Sequence, residues 1–113
     1  MTPHFSPFVV AGDLVFVSGQ LAFDAASAIV AGGVEAQTRQ VLANVEAVLA
    51  GAGLGLRDLV KTTVFITRAE DFPLFNQTYA AVLGEHRPAR STVVTGLAVP
   101  GALVEIEAIA RRA

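Results

Sequence analysis

At 113 residues, 53% of them hydrophobic and only 16% charged, the chain is long enough for one hydrophobic core and too short for two. Its formal net charge of -2 gives no general attraction to a phosphate backbone, which argues against nucleic acid as a partner. The absence of cysteine excludes disulfides, thiolate zinc sites and cysteine nucleophiles.

A mean hydropathy of +0.57 means more apolar surface than a domain of this size easily hides, and a subunit interface is the expected outlet. No run approaches the roughly 18 apolar residues of a membrane span, and Met1-Thr2-Pro3-His4 lacks the basic start of a secretion signal. A cytoplasmic protein without membrane contact is expected.

His4 to Ala11 reads as an extended or looped arm, and Gly12-Asp13 as the turn of a hairpin into Leu14 to Gln20, a run rich in β-branched and aromatic residues. Ser18-Gly19-Gln20 places small and polar residues at the end of that strand, where a bulge or a close backbone approach to a ligand is expected. Asp24 to Gly33 reads as an exposed connection. From Val34 the period becomes helical: Val34, Thr38, Val41, Leu42, Val45, Val48 and Leu49 share a face, with Glu35, Gln37, Arg39, Gln40, Asn44 and Glu46 elsewhere. Gly51-Ala52-Gly53 ends this helix.

Val60 to Ile66 is close to continuously apolar at its end and reads as a central strand. A second helix follows, with Pro73 in its first turn and Phe72, Phe75, Tyr79, Val82 and Leu83 on one face. Pro88 disfavours helix before it, so an extended segment is expected from Arg90. In the closing strand, Leu103 to Ile109, alternation puts Glu105 and Glu107 on one side and Val104, Ile106 and Ala108 on the other. If the last two strands lie side by side, two carboxylates share a face near the Arg90 guanidinium. The order of two strands, helix, strand, helix and two strands predicts an α+β two-layer sandwich, a mixed sheet with both helices on one face, in a single domain over residues 1–113.

Several pieces, in their joint order over nearly the whole chain, resemble the reactive intermediate deaminase (Rid, YjgF-like) family. They are Pro7-Phe8, Val17 to Gln20, Gln37 to Gln40 with Asn44-Val45, Val60 to Phe65, Asn76 with Thr78-Tyr79, Pro88-Ala89-Arg90-Ser91, and Val104 to Ala108. The resemblance implies a chorismate-mutase-like fold, a homotrimer with ligand clefts between subunits, and hydrolysis of 2-imino acids such as those formed from 2-aminoacrylate to 2-keto acids and ammonia. It implies no cofactor and no metal.

The residue types suit that chemistry. A planar guanidinium grips a carboxylate through two parallel charge-assisted hydrogen bonds, which makes Arg90 the candidate for a small-molecule carboxylate. A carboxylate within reach of a water can orient it and take its proton; the resemblance points to Glu105, fifteen residues beyond the arginine, ahead of Glu107. Phe8, Ser18, Gly19, Asn76 and Thr92 are the further candidates for lining the cleft. In the best-studied branch a tyrosine stands at the position of Phe8 and a cysteine at that of Thr92. Phe8 can wall a cleft but cannot donate a hydrogen bond, and Thr92 keeps a small side chain with a hydroxyl.

Plainer readings exist for each. Arg90 could serve in a surface or subunit-contact ion pair, Glu107 in a solvated strand face or a pair with Lys61, and Asn76 and Tyr79 in packing. Ser18 lacks a histidine in a triad-like context, and two isolated histidines, His4 and His86, make no metal site. The alternative function is a non-catalytic trimer that binds 2-keto acids through Arg90. Ribonuclease activity, attached to relatives in the family, is opposed here by acidity and the lack of a basic stripe.

Overall fold

The computed structural model describes residues 3–113. Two helices pack on one face of a five-stranded mixed sheet, the expected α+β sandwich. β1 (Phe8–Ala11) and β2 (Leu14–Gln20) form an antiparallel hairpin closed by Gly12-Asp13, with Ala11 opposite Leu14. β2 carries its bulge between Val17 and Gln20, where the small residues predicted it.

Helix α1 (Gly33–Gly51) starts without a side-chain cap. Its turn is supplied by Gly32, whose φ of 111° is open only to glycine and whose missing Cβ would stand 2.8 Å from that of Ala36. β3 (Leu59–Ile66) follows a single 3-10 turn, and α2 (Phe72–Leu83) follows another. The crossover through α2 brings β4 (Ala89–Val94) parallel to β3, and β5 (Val104–Arg111) returns antiparallel to both β2 and β3.

The strand order is β1-β2-β5-β3-β4. β5 and β3 are therefore central, while β1 and β4 are edges. The core lies between helices and sheet, where Leu42, Val45 and Leu49 of α1 and Phe75 of α2 meet Val15, Val64, Ile66, Val104 and Ile106, all fully buried. Each such large side chain contributes about 1.5–3 kcal/mol by leaving water.

One residue departs from the expected helical pattern. Gln37, placed by its polarity outside the apolar face, is only 4% exposed. Its Nε2 donates to the Gly101 carbonyl at 3.0 Å and its Oε1 accepts from the Leu103 amide at 2.8 Å, so the amide is buried with both ends satisfied. It ties the start of β5 to α1. Asn44 does the same for the segment after β2, donating to the carbonyls of Leu21 and Phe23.

Candidate functional site

Arg90 is the second residue of β4 and lies in parallel register with Thr62 of β3. Residues so paired face the same side of a sheet, and Thr62 is buried beneath α2. Arg90 therefore turns toward α2. There its guanidinium carbon lies 4.9 Å from the ring centre of Tyr79, 5.6 Å from that of Phe75 and 5.7 Å from that of Phe72. Rings at these distances attract the cation through their faces. Ring faces offer no acceptor oxygen to its N–H groups, and the ion pairs among the described residues, Arg39 with Glu35, Arg68 with Glu70 and Arg111 with Asp13, do not include Arg90.

Tyr79 is fixed in turn by a 2.7 Å hydrogen bond between its hydroxyl and that of Thr62. Burial pushes the Tyr79 phenol above its ordinary value, against the opposing effects of the Thr62 hydrogen bond and the Arg90 charge. The phenol stays neutral and makes no ion pair with the arginine. Beside Arg90 opens a cavity of about 260 Å³, lined also by Asn76, Tyr79, Leu83 and Arg87. Thr92, two residues along the same strand face, has its hydroxyl buried without a hydrogen-bond partner.

Glu105 lies elsewhere. In β5 it stands opposite Phe65 of β3, on the sheet face that the helices leave uncovered, while Val104 and Ile106 turn into the core. Its carboxylate fills the space where a side chain on Gly19 would be: a Cβ built there would overlap the carboxylate, with Cδ at 3.1 Å. The close approach expected at Ser18-Gly19-Gln20 is thus to Glu105 itself. Burial, and secondarily the charge of Glu107, hold the Glu105 carboxyl above the ordinary carboxylate value. A carboxylate raised in this way is a stronger base.

Ser18 is committed to structure, its Oγ donating to the Ser6 carbonyl at 2.6 Å and its amide to the Pro7 carbonyl at 3.0 Å. These bonds pin the arm before β1 against the end of β2. Phe8, paired with Val17, turns to the helix-covered side, and its ring packs near Gly51. Glu107 and Lys61 share the uncovered face and line one groove with Thr63, and the ion pairs among the described residues do not join them. Among the described residues no cluster of three or more His, Cys, Asp or Glu could hold a metal, and no helix is long and apolar enough to cross a membrane.

The expectation that Arg90 and the two glutamates share a face is overturned. β4 and β5 are separated by β3, which pairs with both, and Arg90 faces the helices while Glu105 and Glu107 face away. One chain brings Arg90, Asn76 and Thr92 to the β4 edge, and Gly19 and Glu105 to the opposite face; Phe8 joins neither group. The aromatic bed of Arg90 was readable only as a core stripe at 72, 75 and 79. Its second role depends on which strand lies beneath α2.

The family model described as Endoribonuclease L-PSP matches residues 1–112. The 2-iminobutanoate/2-iminopropanoate deaminase of Salmonella typhimurium is 45% identical over 104 residues, which cover 89% of this chain and 81% of that protein. The 3-aminoacrylate deaminase RutC of Acinetobacter baylyi is 39% identical over 112 residues, covering 96% and 89%. Among solved structures, the YjgF gene product of Escherichia coli superposes with a TM-score of 0.89 at 40% identity, covering 96% of this chain and 88% of that one. With the family match running almost from end to end and the two folds superposing closely, this chain belongs to the YjgF/Rid family, also described as L-PSP.

Proposed function

We propose that the protein is an enamine/imine deaminase that hydrolyses 2-imino acids to 2-keto acids and ammonia. The observation that carries this reading is the Arg90 guanidinium, laid on three aromatic rings beside a cavity and without an acidic partner among the described residues. A cation held this way keeps its N–H edges for an incoming carboxylate. The relatives named as 2-iminobutanoate/2-iminopropanoate and 3-aminoacrylate deaminases support the substrate class.

In this mechanism Arg90 binds the substrate carboxylate and Glu105 accepts a proton from water as the water oxygen bonds to the electrophilic imine carbon. The resulting tetrahedral carbinolamine collapses when that proton passes to nitrogen: the C–N bond breaks, ammonia leaves, and the hydroxyl proton returns to the Glu105 carboxylate as the keto group forms. Water supplies the oxygen, and no electrons are transferred. Positioning of the two reactants supplies much of the acceleration.

Arg90 and Glu105 stand on opposite faces of one sheet, so the mechanism requires Glu105 of one subunit to meet Arg90 of another. We place the site in a cleft between the subunits of a homotrimer. The exposed apolar residues Val9 and Phe16, on the face that carries Glu105, suit burial against a second copy. Asn76 and Thr92 border the substrate from the Arg90 side, and Ser18 and Gly19 from the Glu105 side. The Arg90 cavity alone would suffice for the second reading, a trimer that binds 2-keto acids without turnover.

A coupled assay tests both readings: a pyridoxal-phosphate dehydratase or an amino-acid oxidase releases imines, and keto-acid formation is followed with and without the protein. Acceleration that is lost in Arg90→Ala and in Glu105→Gln is expected. Unchanged turnover in Arg90→Ala refutes the proposal, and keto-acid binding through Arg90 without any acceleration favours the second reading. Refolding the two variants together at equal amounts restores about a quarter of wild-type activity if each site takes one residue from each of two subunits, and none if it does not.

A further inference from the structure

The cavity beside Arg90 holds a second guanidinium. Arg87, in the turn between α2 and β4, lines the same space of about 260 Å³, and three residues of chain keep the two α-carbons within about 11 Å of each other. Among the described residues no carboxylate side chain lines the cavity, and Glu85, in the same turn, lies outside the lining. Neither arginine belongs to an ion pair among the described residues. In a chain of net charge -2, a concavity with two cations and no acid stands apart from the average surface.

The rest of the lining suits one kind of occupant. Ala80 and Leu83 give an apolar wall, while Asn76 and Tyr79 bring an amide and a hydroxyl. His86 is engaged elsewhere, its Nε2 lying 2.8 Å from the Leu59 carbonyl oxygen. A substrate with one carboxylate would satisfy Arg90 and leave the exposed Arg87 guanidinium without an acidic partner among the described residues. A short methylene chain along the apolar wall, with an anionic group at each end, satisfies both.

We infer that the substrate class is a 2-imino acid whose side chain ends in a second carboxylate, with one carboxylate at Arg90 and the other at Arg87. This inference rests on the reading of Arg90 as the carboxylate grip. The second charge-assisted contact, at an exposed arginine, is worth about tenfold in affinity.

The two stable keto acids 2-oxoglutarate and 2-oxopentanoate share a carbon skeleton and differ in the terminal carboxylate, so titration calorimetry with both isolates its contribution. The wild-type protein is expected to bind 2-oxoglutarate about tenfold more tightly. Arg87→Gln should bring the ratio of the two affinities to about one, and the control Arg39→Gln, on the outer side of α1, should leave the ratio intact. Equal affinities in the wild type, or a ratio that survives Arg87→Gln, overturns the dicarboxylate inference and leaves the reading of Arg90 standing. If Arg90→Gln leaves the affinity for 2-oxopentanoate unchanged, or the wild type binds neither acid, the Arg90 reading falls and the inference with it.

Discussion

Gly19 offers a way to move the Glu105 carboxylate without removing any functional group. A Cβ at position 19 would overlap the carboxylate, with Cδ at 3.1 Å and Cγ at 3.4 Å, inside the roughly 3.5–4.0 Å at which carbons rest against each other. In Gly19→Ala the obstructing atoms are the far end of a flexible side chain, so Glu105 swings aside. The strain of such a shift is about 1 kcal/mol, and the lower entropy of the unfolded alanine chain offsets about 0.4–1 kcal/mol of it. Global stability should therefore change by less than about 1 kcal/mol. Activity should not survive so well. A general base contributes about 100- to 10,000-fold, and a displacement near 1 Å already costs about 100-fold.

The assay is keto-acid formation from enzymatically released imines, run beside urea denaturation of the same preparation. Gly51→Ala is the control, since its Cβ would meet Phe8 only at an ordinary contact distance of 3.6 Å. A Gly19→Ala protein with wild-type kcat/KM would refute the idea that Glu105 works from the place the bulge leaves for it. A loss of several kcal/mol would show that backbone, and not the carboxylate, occupies the space.

The remaining predictions concern other supports of the site. Because burial and Glu107 raise the Glu105 carboxyl, the folded chain binds that proton more tightly than the unfolded chain. This contribution to stability is therefore fully present at low pH and is lost as pH rises from the ordinary carboxylate value through the raised one. Urea denaturation across that window should show the slope in the wild type and a flatter profile in Glu105→Gln, and the acid limb of the pH–rate profile should lie above the ordinary carboxylate value. Gln37→Ala removes both ties to Gly101 and Leu103 and should lower stability by about 1–3 kcal/mol; an unchanged urea midpoint would mean that water replaces the amide at no cost. Tyr79→Phe keeps the ring under Arg90 but leaves the buried Thr62 hydroxyl unpaired. It should therefore lose about 1–3 kcal/mol of stability with keto-acid affinity retained, whereas Tyr79→Leu should weaken that affinity as well, and equal affinities in the two variants would count against the aromatic support.

What was legible in the sequence was local. The change from alternation to helical spacing at Val34, the two-residue turn at Gly12-Asp13, the stop before Pro88 and the small residues of the β2 bulge each act over a few residues, and each gave its element. The alternation of β5 likewise predicted which side chains leave the core. The order of strands was not legible, because pairing between distant segments has no local signature. Nothing near Arg90 or Glu105 says that β3 will lie between them, and a chain read from end to end places the last two strands together by default. Gln37 was misplaced for a related reason. Its burial depends on two backbone groups more than sixty residues away, and an amide that pairs both of them is as well accommodated in the interior as a leucine.

The separation of the two groups lets each half of the proposed site be built independently. Three rings hold the Arg90 guanidinium, which has no acidic partner among the described residues, and a missing Cβ leaves room for the Glu105 carboxylate; neither needs the other in order to be placed. On the proposed shared cleft, the geometry of attack is then set by the packing of two rigid sheets and not by closure of a loop. Electrostatics would follow the same division. In one chain, burial and Glu107 raise the Glu105 carboxyl, and a neighbouring subunit's guanidinium would offset part of that rise. A substrate carboxylate on that guanidinium would cancel the pull and restore the basicity of Glu105 at the moment a water is to be deprotonated.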